Sequence, residues 1–140
     1  MVQIMLCGCQ GKMGHVIADC VAARDDCRIL CGVDINTESK LDFPVYASPA
    51  DAAEKPDVVI DYSHPSSLEG LLSYGLANHV PLVIATTGYS SEQIARIHEA
   101  ARHIPVFFTF NMSLGVNLLA ELARKAAQVL GGQFDIEIVE

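Results

Sequence analysis

Three groups of residues in this chain have types and spacings that could do chemistry. The first is Gly8-Cys9-Gln10-Gly11-Lys12-Met13-Gly14, which follows the apolar run Val2-Gln3-Ile4-Met5-Leu6-Cys7 without a break. Glycines at intervals of three, directly after a strand and at the head of a helical pattern, suit a dinucleotide pyrophosphate. The first permits a tight turn, the second lets a phosphate approach the backbone, and the third lets helix and strand pack closely. The amides of the first helical turn, with the positive end of the helix dipole behind them, would then face the phosphates. The second group is a single carboxylate. Arg28-Ile29-Leu30-Cys31-Gly32-Val33 reads as a strand that ends on Asp34, twenty residues after Gly14. An acid at that distance can accept hydrogen bonds from the adenosine ribose hydroxyls. The competing reading is a plain turn formed with Asn36.

The third group lies at later strand ends. Asp61-Tyr62-Ser63-His64-Pro65 offers hydroxyls and an imidazole, and Ala85-Thr86-Thr87-Gly88-Tyr89 offers hydroxyls and open backbone for a ribose or a carboxamide. In Phe110-Asn111-Met112-Ser113, Asn111 can both donate to and accept from an amide, and Ser113 can cap a helix. Each loop taken alone is also ordinary turn and cap chemistry. Their succession beside the glycine turn is what suggests a cleft.

The elements that must position these loops alternate throughout. Strands are expected over 2–7, 28–33, 45–46, 58–61, 82–85 and 105–109. Helices are expected over 13–24, from Ser48 to Glu54, and over 66–78, 91–101 and 114–130, with a capping box at Ser90 and Gln93. A last strand is expected over 134–139. The longest helix should bury Leu118, Leu119, Leu122, Ala126 and Val129, and 13–24 should bury Met13, Val16, Ile17, Cys20 and Val21. Runs such as Val58-Val59-Ile60 and Leu82-Val83-Ile84 are apolar on both faces, as in a parallel sheet with helices on each side. The fold class is α/β, a doubly wound, mostly parallel, Rossmann-like sheet with right-handed crossovers.

Composition narrows the function. The 140 residues give room for one core, and the formal net charge of −8, with scattered cations, excludes binding along a nucleic-acid backbone. No apolar run has the length of a membrane span, and the N-terminus does not read as a secretory signal. The cysteines at 7, 9, 20, 27 and 31 are odd in number and lack metal-ligand spacing, which points to reduced structural thiols in a cytoplasmic protein and to no metal site. Cys9 stands apart, because it lies in the turn that should meet a ligand.

Taken together, Gly8-x-x-Gly11-Lys12-Met13-Gly14, Val59 to Pro65, Ala85 to Tyr89, Asn111-Met112-Ser113-Leu114-Gly115-Val116-Asn117 and Asp135-Ile136-Glu137-Ile138-Val139-Glu140 closely resemble the N-terminal part of the 4-hydroxy-tetrahydrodipicolinate reductase family. The resemblance covers essentially the whole chain. It implies that Gly8, Cys9, Gln10, Gly11, Lys12 and Met13 hold a pyrophosphate and Asp34 the adenosine ribose. It further implies that Ala85, Thr86, Thr87, Thr109, Phe110, Asn111 and Met112 surround the nicotinamide half. The reaction implied is hydride transfer from a reduced nicotinamide to a cyclic unsaturated dicarboxylate, in the cytoplasm, within a homotetramer in lysine and diaminopimelate synthesis. In that family the proton donors and the dicarboxylate clamp, a His-His pair and a Lys-x-Asp-Ala-Pro-Ser-Gly-Thr segment, follow the Asp-Ile-Glu-Ile-Val-Glu strand. The expectation is therefore a dinucleotide-binding domain over 1–134, the first strand of a substrate and tetramerisation domain over 135–140, and no catalytic residue within this chain. His64 reads as structural rather than as an acid.

Two departures bear on the cofactor. Family members often carry a basic residue after the ribose acid, which accommodates a 2′-phosphate, whereas Ile35 and Asn36 stand here, with Lys12 as a partial substitute. NADH is thus expected to be preferred, with NADPH as second cofactor. Cys9 and Gln10 occupy turn positions that small residues fit most easily. The other readings are a stand-alone nucleotide- or CoA-binding module and a purely structural oligomerisation domain. A CoA site needs neither a ribose-diol acid nor a nicotinamide pocket.

Overall fold

The computed structural model describes residues 1–137. They form two units, one spanning residues 1–110 and the other beginning at residue 111. The first is built on a six-stranded sheet. Its strands are β1 (Val2–Cys7), β2 (Cys27–Val33), β3 (Val45–Tyr46), β4 (Val58–Asp61), β5 (Leu82–Ile84) and β6 (Val106–Phe108). All pairings are parallel and the spatial order is β3-β2-β1-β4-β5-β6. This order reverses direction between β1 and β4. Ligands of open α/β sheets bind at such a switch point, outside the carboxyl ends of the strands.

Helices α1 (Lys12–Ala22), α2 (Leu68–Asn78) and α3 (Ser91–Ala100) connect the strands. One face of the sheet carries the main core. Met5, Cys7, Cys31, Val33, Val59, Leu82 and Ile84 pack there with Leu68, Leu71, Leu72 and Ile97 of α2 and α3. On the alternate positions Ile4 and Leu6 are buried, whereas Ile60 and Val83 are half-buried and Phe107 is exposed. The apolar face expected on α1 is open: Met13, Val16 and Cys20 are exposed, Ile17 and Val21 are half-buried, and Gly14 alone is fully buried. Amphipathic spacing fixes which side chains share a helix face, but covering that face takes a neighbouring element, and here α1 meets chiefly β2.

The capping box at Ser90 and Gln93 forms as expected and starts α3. The helix expected from Ser48 to Glu54 shortens to a single 3₁₀ turn, Pro49–Asp51, whose Ser48 makes no side-chain cap. Without that cap bond, Pro49 starts the turn but little sustains it.

In the second unit, α4 (Leu114–Leu130) has the expected bounds, and Ser113 Oγ caps it by accepting from Val116 N at 3.3 Å. Leu118, Leu119, Leu122 and Val129, expected to be buried, are exposed. A 3₁₀ turn, Gly131–Gln133, ends the helix. Residues 134–137 form no strand, and residues 138–140, the rest of the expected last strand, lie outside the described residues.

Candidate functional site

The turn after β1 owes its shape to two glycines. Gly8 has φ +74°, and a Cβ on it would lie 2.5 Å from the Tyr62 carbonyl oxygen, so this turn packs directly on the turn after β4. A Cβ on Gly14 would lie 2.5 Å from the Cys9 carbonyl oxygen and closer still to that of Gly8, which lets α1 begin hard against the turn. Gly11 is the N-cap of α1. No side chain caps this helix end and no acid occupies its first turn. Its leading amides and positive dipole are therefore left for an anionic ligand.

Between this helix end and the turn after β4 lies a cavity of about 280 Å³, lined in part by Gly8, Gly11, Asp34, Asp61, Tyr62 and His64. It sits where the strand order reverses. Asp34 stands at the tip of β2, its Oδ2 accepting from Gln10 N at 3.0 Å and its Oδ1 from Asn36 N at 3.3 Å. Asp34 thus organises the local turn with Asn36, and it also lines the cavity.

The Cys9 side chain is not part of the cavity lining. It is completely buried, and its Sγ occupies the space that a side chain on Gly32 of β2 would need. Only its backbone belongs to the turn. Burial pushes the Cys9 thiol up to about 11, aided by the nearby Asp34 carboxylate. Burial likewise raises Cys31 to about 11 and Cys7 well above the usual thiol range. Cys7, Cys9 and Cys31 are buried free thiols, whereas Cys20 is exposed. Lys12 and Met13 stand exposed at the first turn of α1.

Asp61, at the tip of β4, is 1% exposed, yet no cation pairs with it among the described contacts. Its charge is held by neutral donors. Ser63 N at 3.2 Å and Ser63 Oγ donate to Oδ1, while Thr86 Oγ1 at 2.8 Å and Tyr89 OH at 3.2 Å donate to Oδ2. One carboxylate therefore ties the loop after β4 to the loop after β5. Burial, then the nearby Asp61 charge, raises the Tyr89 phenol far above its ordinary value, so it stays a donor. Sequence reasoning placed the 61–64 loop in the cleft but missed this hub. The available signal was an acid ending an apolar strand with Thr and Tyr at the next strand tip.

His64 is the N-cap of the 3₁₀ turn Pro65–Ser67, its Nδ1 accepting from Ser66 N at 3.2 Å. Ala85 and Thr86 are buried at the tip of β5, and Thr87 is exposed. Thr109 N donates to the Ile84 carbonyl at 3.2 Å, fixing the β6 tip to β5. Phe110 is exposed and stacks edge-on against Phe108 at 4.8 Å. Asn111 and Met112 belong to the second unit, where Asn111 Oδ1 accepts from Ser113 N at 2.7 Å. Among the described residues no cluster of His, Cys, Asp and Glu could hold a metal ion, and no helix is long and apolar enough to cross a membrane.

Comparison with known proteins decides the family. The family pattern described as "Dihydrodipicolinate reductase, N-terminus" matches residues 2–112. The chain belongs to the dihydrodipicolinate reductase family. The 4-hydroxy-tetrahydrodipicolinate reductase of Clostridium tetani is 45% identical over 140 residues, and that of Caldanaerobacter subterraneus 44%. Each match covers all of this chain and 55% of the relative, so the chain spans about half the length of these relatives. Among solved structures, the dipicolinate-bound dihydrodipicolinate reductase of Paenisporosarcina sp. TG-14 superposes with a TM-score of 0.76 at 24% identity, over 91% of this chain and 54% of that one. A myo-inositol dehydrogenase of Corynebacterium glutamicum gives 0.68 at 23% identity, over 94% and 43%. Both confirm the fold. Family and fold together imply binding of a nicotinamide dinucleotide.

Proposed function

We propose that this chain is the NADH-binding half of a reductase acting on 4-hydroxy-tetrahydrodipicolinate, a cyclic unsaturated dicarboxylate, in cytoplasmic lysine and diaminopimelate synthesis. The observation that carries this reading is the cavity at the switch point, bounded by an uncapped helix N-terminus and the Asp34 carboxylate. These residues fit the dinucleotide: the open amides suit a pyrophosphate and the carboxylate suits a ribose diol. In this reading Gly8, Cys9, Gln10, Gly11, Lys12 and Met13 shape the turn that receives the pyrophosphate, the open amides at the start of α1 meet the phosphates, and Lys12 adds a cation. Asp34 accepts from the adenosine ribose. Ala85, Thr86, Thr87, Thr109, Phe110, Asn111 and Met112 form the surroundings of the nicotinamide. The bound dinucleotide supplies the hydride.

The chain's own residues bind and orient. In this reading they do not supply an acid, and His64 serves the start of the turn Pro65–Ser67, where its Nδ1 accepts from Ser66 N at 3.2 Å. The described lining of the cavity includes no Lys or Arg, and in this reading the carboxylate clamp lies elsewhere in the enzyme. We assign the proton donor, the clamp and the tetramer contacts to the part of the relatives' length that this chain does not span. A positioned reactant and a placed acid contribute most of such a rate enhancement. The test is turnover of the cyclic dicarboxylate, followed at the nicotinamide absorbance. The 140-residue chain should bind NADH without oxidising it, and joining it to the second half of the Clostridium tetani relative should restore turnover. A rate from the chain alone within about tenfold of the joined protein would contradict the assignment.

A further inference from the structure

We propose that Gln10 is a positioning and specificity-determining residue whose side chain clasps the segment after Asp34 onto the glycine turn, setting both the affinity for NADH and the discrimination against NADPH. The inference rests on the reading that Asp34 receives the adenosine ribose. Gln10 acts twice. Its main-chain N–H donates to Asp34 Oδ2 at 3.0 Å, and its side-chain Nε2 donates to the carbonyl oxygens of Asn36 and, at 3.3 Å, Glu38. The segment it holds has no regular secondary structure between β2 and β3. Inside that segment Asn36 N donates to Asp34 Oδ1 at 3.3 Å, and Glu38 N donates to Asn36 Oδ1 at 3.1 Å. Asp34 is thus held from the turn on one side and from its own loop on the other.

The chemistry of the clasp is specific to glutamine. One NH₂ group faces two acceptors. Asparagine is a methylene shorter, and glutamate has the reach but would set acceptors against acceptors. The first consequence concerns affinity. A carboxylate offers about four lone-pair sites, so two main-chain donors leave capacity for the ribose hydroxyls while fixing the group in advance. Ordering the loop before the ligand arrives removes a cost that binding would otherwise bear.

The second consequence concerns selectivity. A 2′-phosphate needs donors or a cation. Here the N–H groups of Gln10, Asn36 and Glu38 already donate to oxygens of Asp34 and Asn36, and the Asn36 and Glu38 carbonyls are taken by the clasp. With the clasp closed, a 2′-phosphate meets the Asp34 charge and engaged amides. With it open, the segment is free to turn those amides outward.

The experiment compares Gln10→Ala and the same-shaped Gln10→Glu with the unaltered 140-residue chain. NADH and NADPH are titrated at fixed salt, and amide hydrogen exchange is followed in the ligand-free chain. Both variants should weaken NADH about tenfold and NADPH less than about twofold. The Asn36 and Glu38 amides should exchange faster in both, while the thermal midpoint stays within about 2 °C because Gln10 is not part of the core. Unchanged NADH affinity, or equal losses for the two nucleotides, would overturn the proposal. Failure of the unaltered chain to bind either nucleotide would instead overturn the reading of the site. The exchange rates then still decide the clasp: no acceleration at Asn36 and Glu38 would rule it out.

Discussion

Asp61 is the residue on which the geometry of two strand-end loops depends. It is buried, accepts four hydrogen bonds and has no cationic partner among its described contacts. Truncating it would strand the hydroxyls of Thr86 and Tyr89 as buried donors, and each orphaned donor costs about 1–3 kcal/mol. Asp61→Ala should therefore destabilise the chain by about 3 kcal/mol or more, read as a lower urea midpoint at unchanged slope. Asp61→Asn, which keeps one acceptor oxygen, should lose less. Equal midpoints for Asp61→Ala and the unaltered chain would show that the hub contributes nothing. At this scale the sequence was only partly informative. The glycine spacing and the acid at the end of β2 were legible as a group, and Gly8, Gly11 and Asp34 do line one cavity, because a turn after a strand and a residue at a strand tip are positions that short motifs encode. Asp61 and the Gln10 clasp were not legible, because both depend on side-chain contacts between loops far apart in sequence. Cys9 was misleading for the same reason: its neighbours place it in the turn, but the missing side chain of Gly32 gives its sulfur a buried seat.

The elements were more legible than their burial. Every strand of the sheet was expected near its observed position, since continuous apolar runs bounded by turn residues leave few alternatives. The bounds of α4 matched as well, set by the Ser113 cap and by the glycines after Leu130. What periodicity could not supply was the partner for each apolar face, and α1 and α4 show it through their exposed Val16, Leu118 and Leu122. The packed side of the β1–β2 pair makes a prediction of its own. Cys7 and Cys31 lie in the core and Cys9 beside it, all with thiols raised above the ordinary range, Cys9 and Cys31 to about 11. These thiols hold their protons more tightly in the folded chain than in the unfolded one. Their contribution is fully present below the unfolded thiol pKa of about 8.5 and is lost as pH rises through the folded values. Urea midpoints should thus fall between pH 9 and pH 11, under reducing conditions, and a Cys9→Ala, Cys31→Ala chain should show a smaller fall. A flat profile for the unaltered chain would contradict the burial of these thiols.

For the whole molecule, the strand order places its one reversal beside the glycine turn, so the topology and the local motif specify the same cavity. The family match over residues 2–112 and the fold agree with that location. The relatives are nearly twice as long as this chain, so in the function proposed above this chain carries the binding half of the reaction and the rest of the enzyme carries the chemistry. Cofactor choice belongs to the half in hand. Asp34, followed by Ile35 and Asn36 in place of a basic residue, should favour a free ribose hydroxyl over a 2′-phosphate. One well-placed carboxylate is enough for about a tenfold preference, or about 1.4 kcal/mol. Calorimetric titration of NADH and of NADPH into the 140-residue chain, at one salt concentration, tests this most directly. The account predicts that both nucleotides bind at a single site, NADH about tenfold more tightly, with the gap narrowing in Asp34→Ala through loss of NADH affinity. Absence of NADH binding, or binding unaffected by Asp34→Ala, would contradict it.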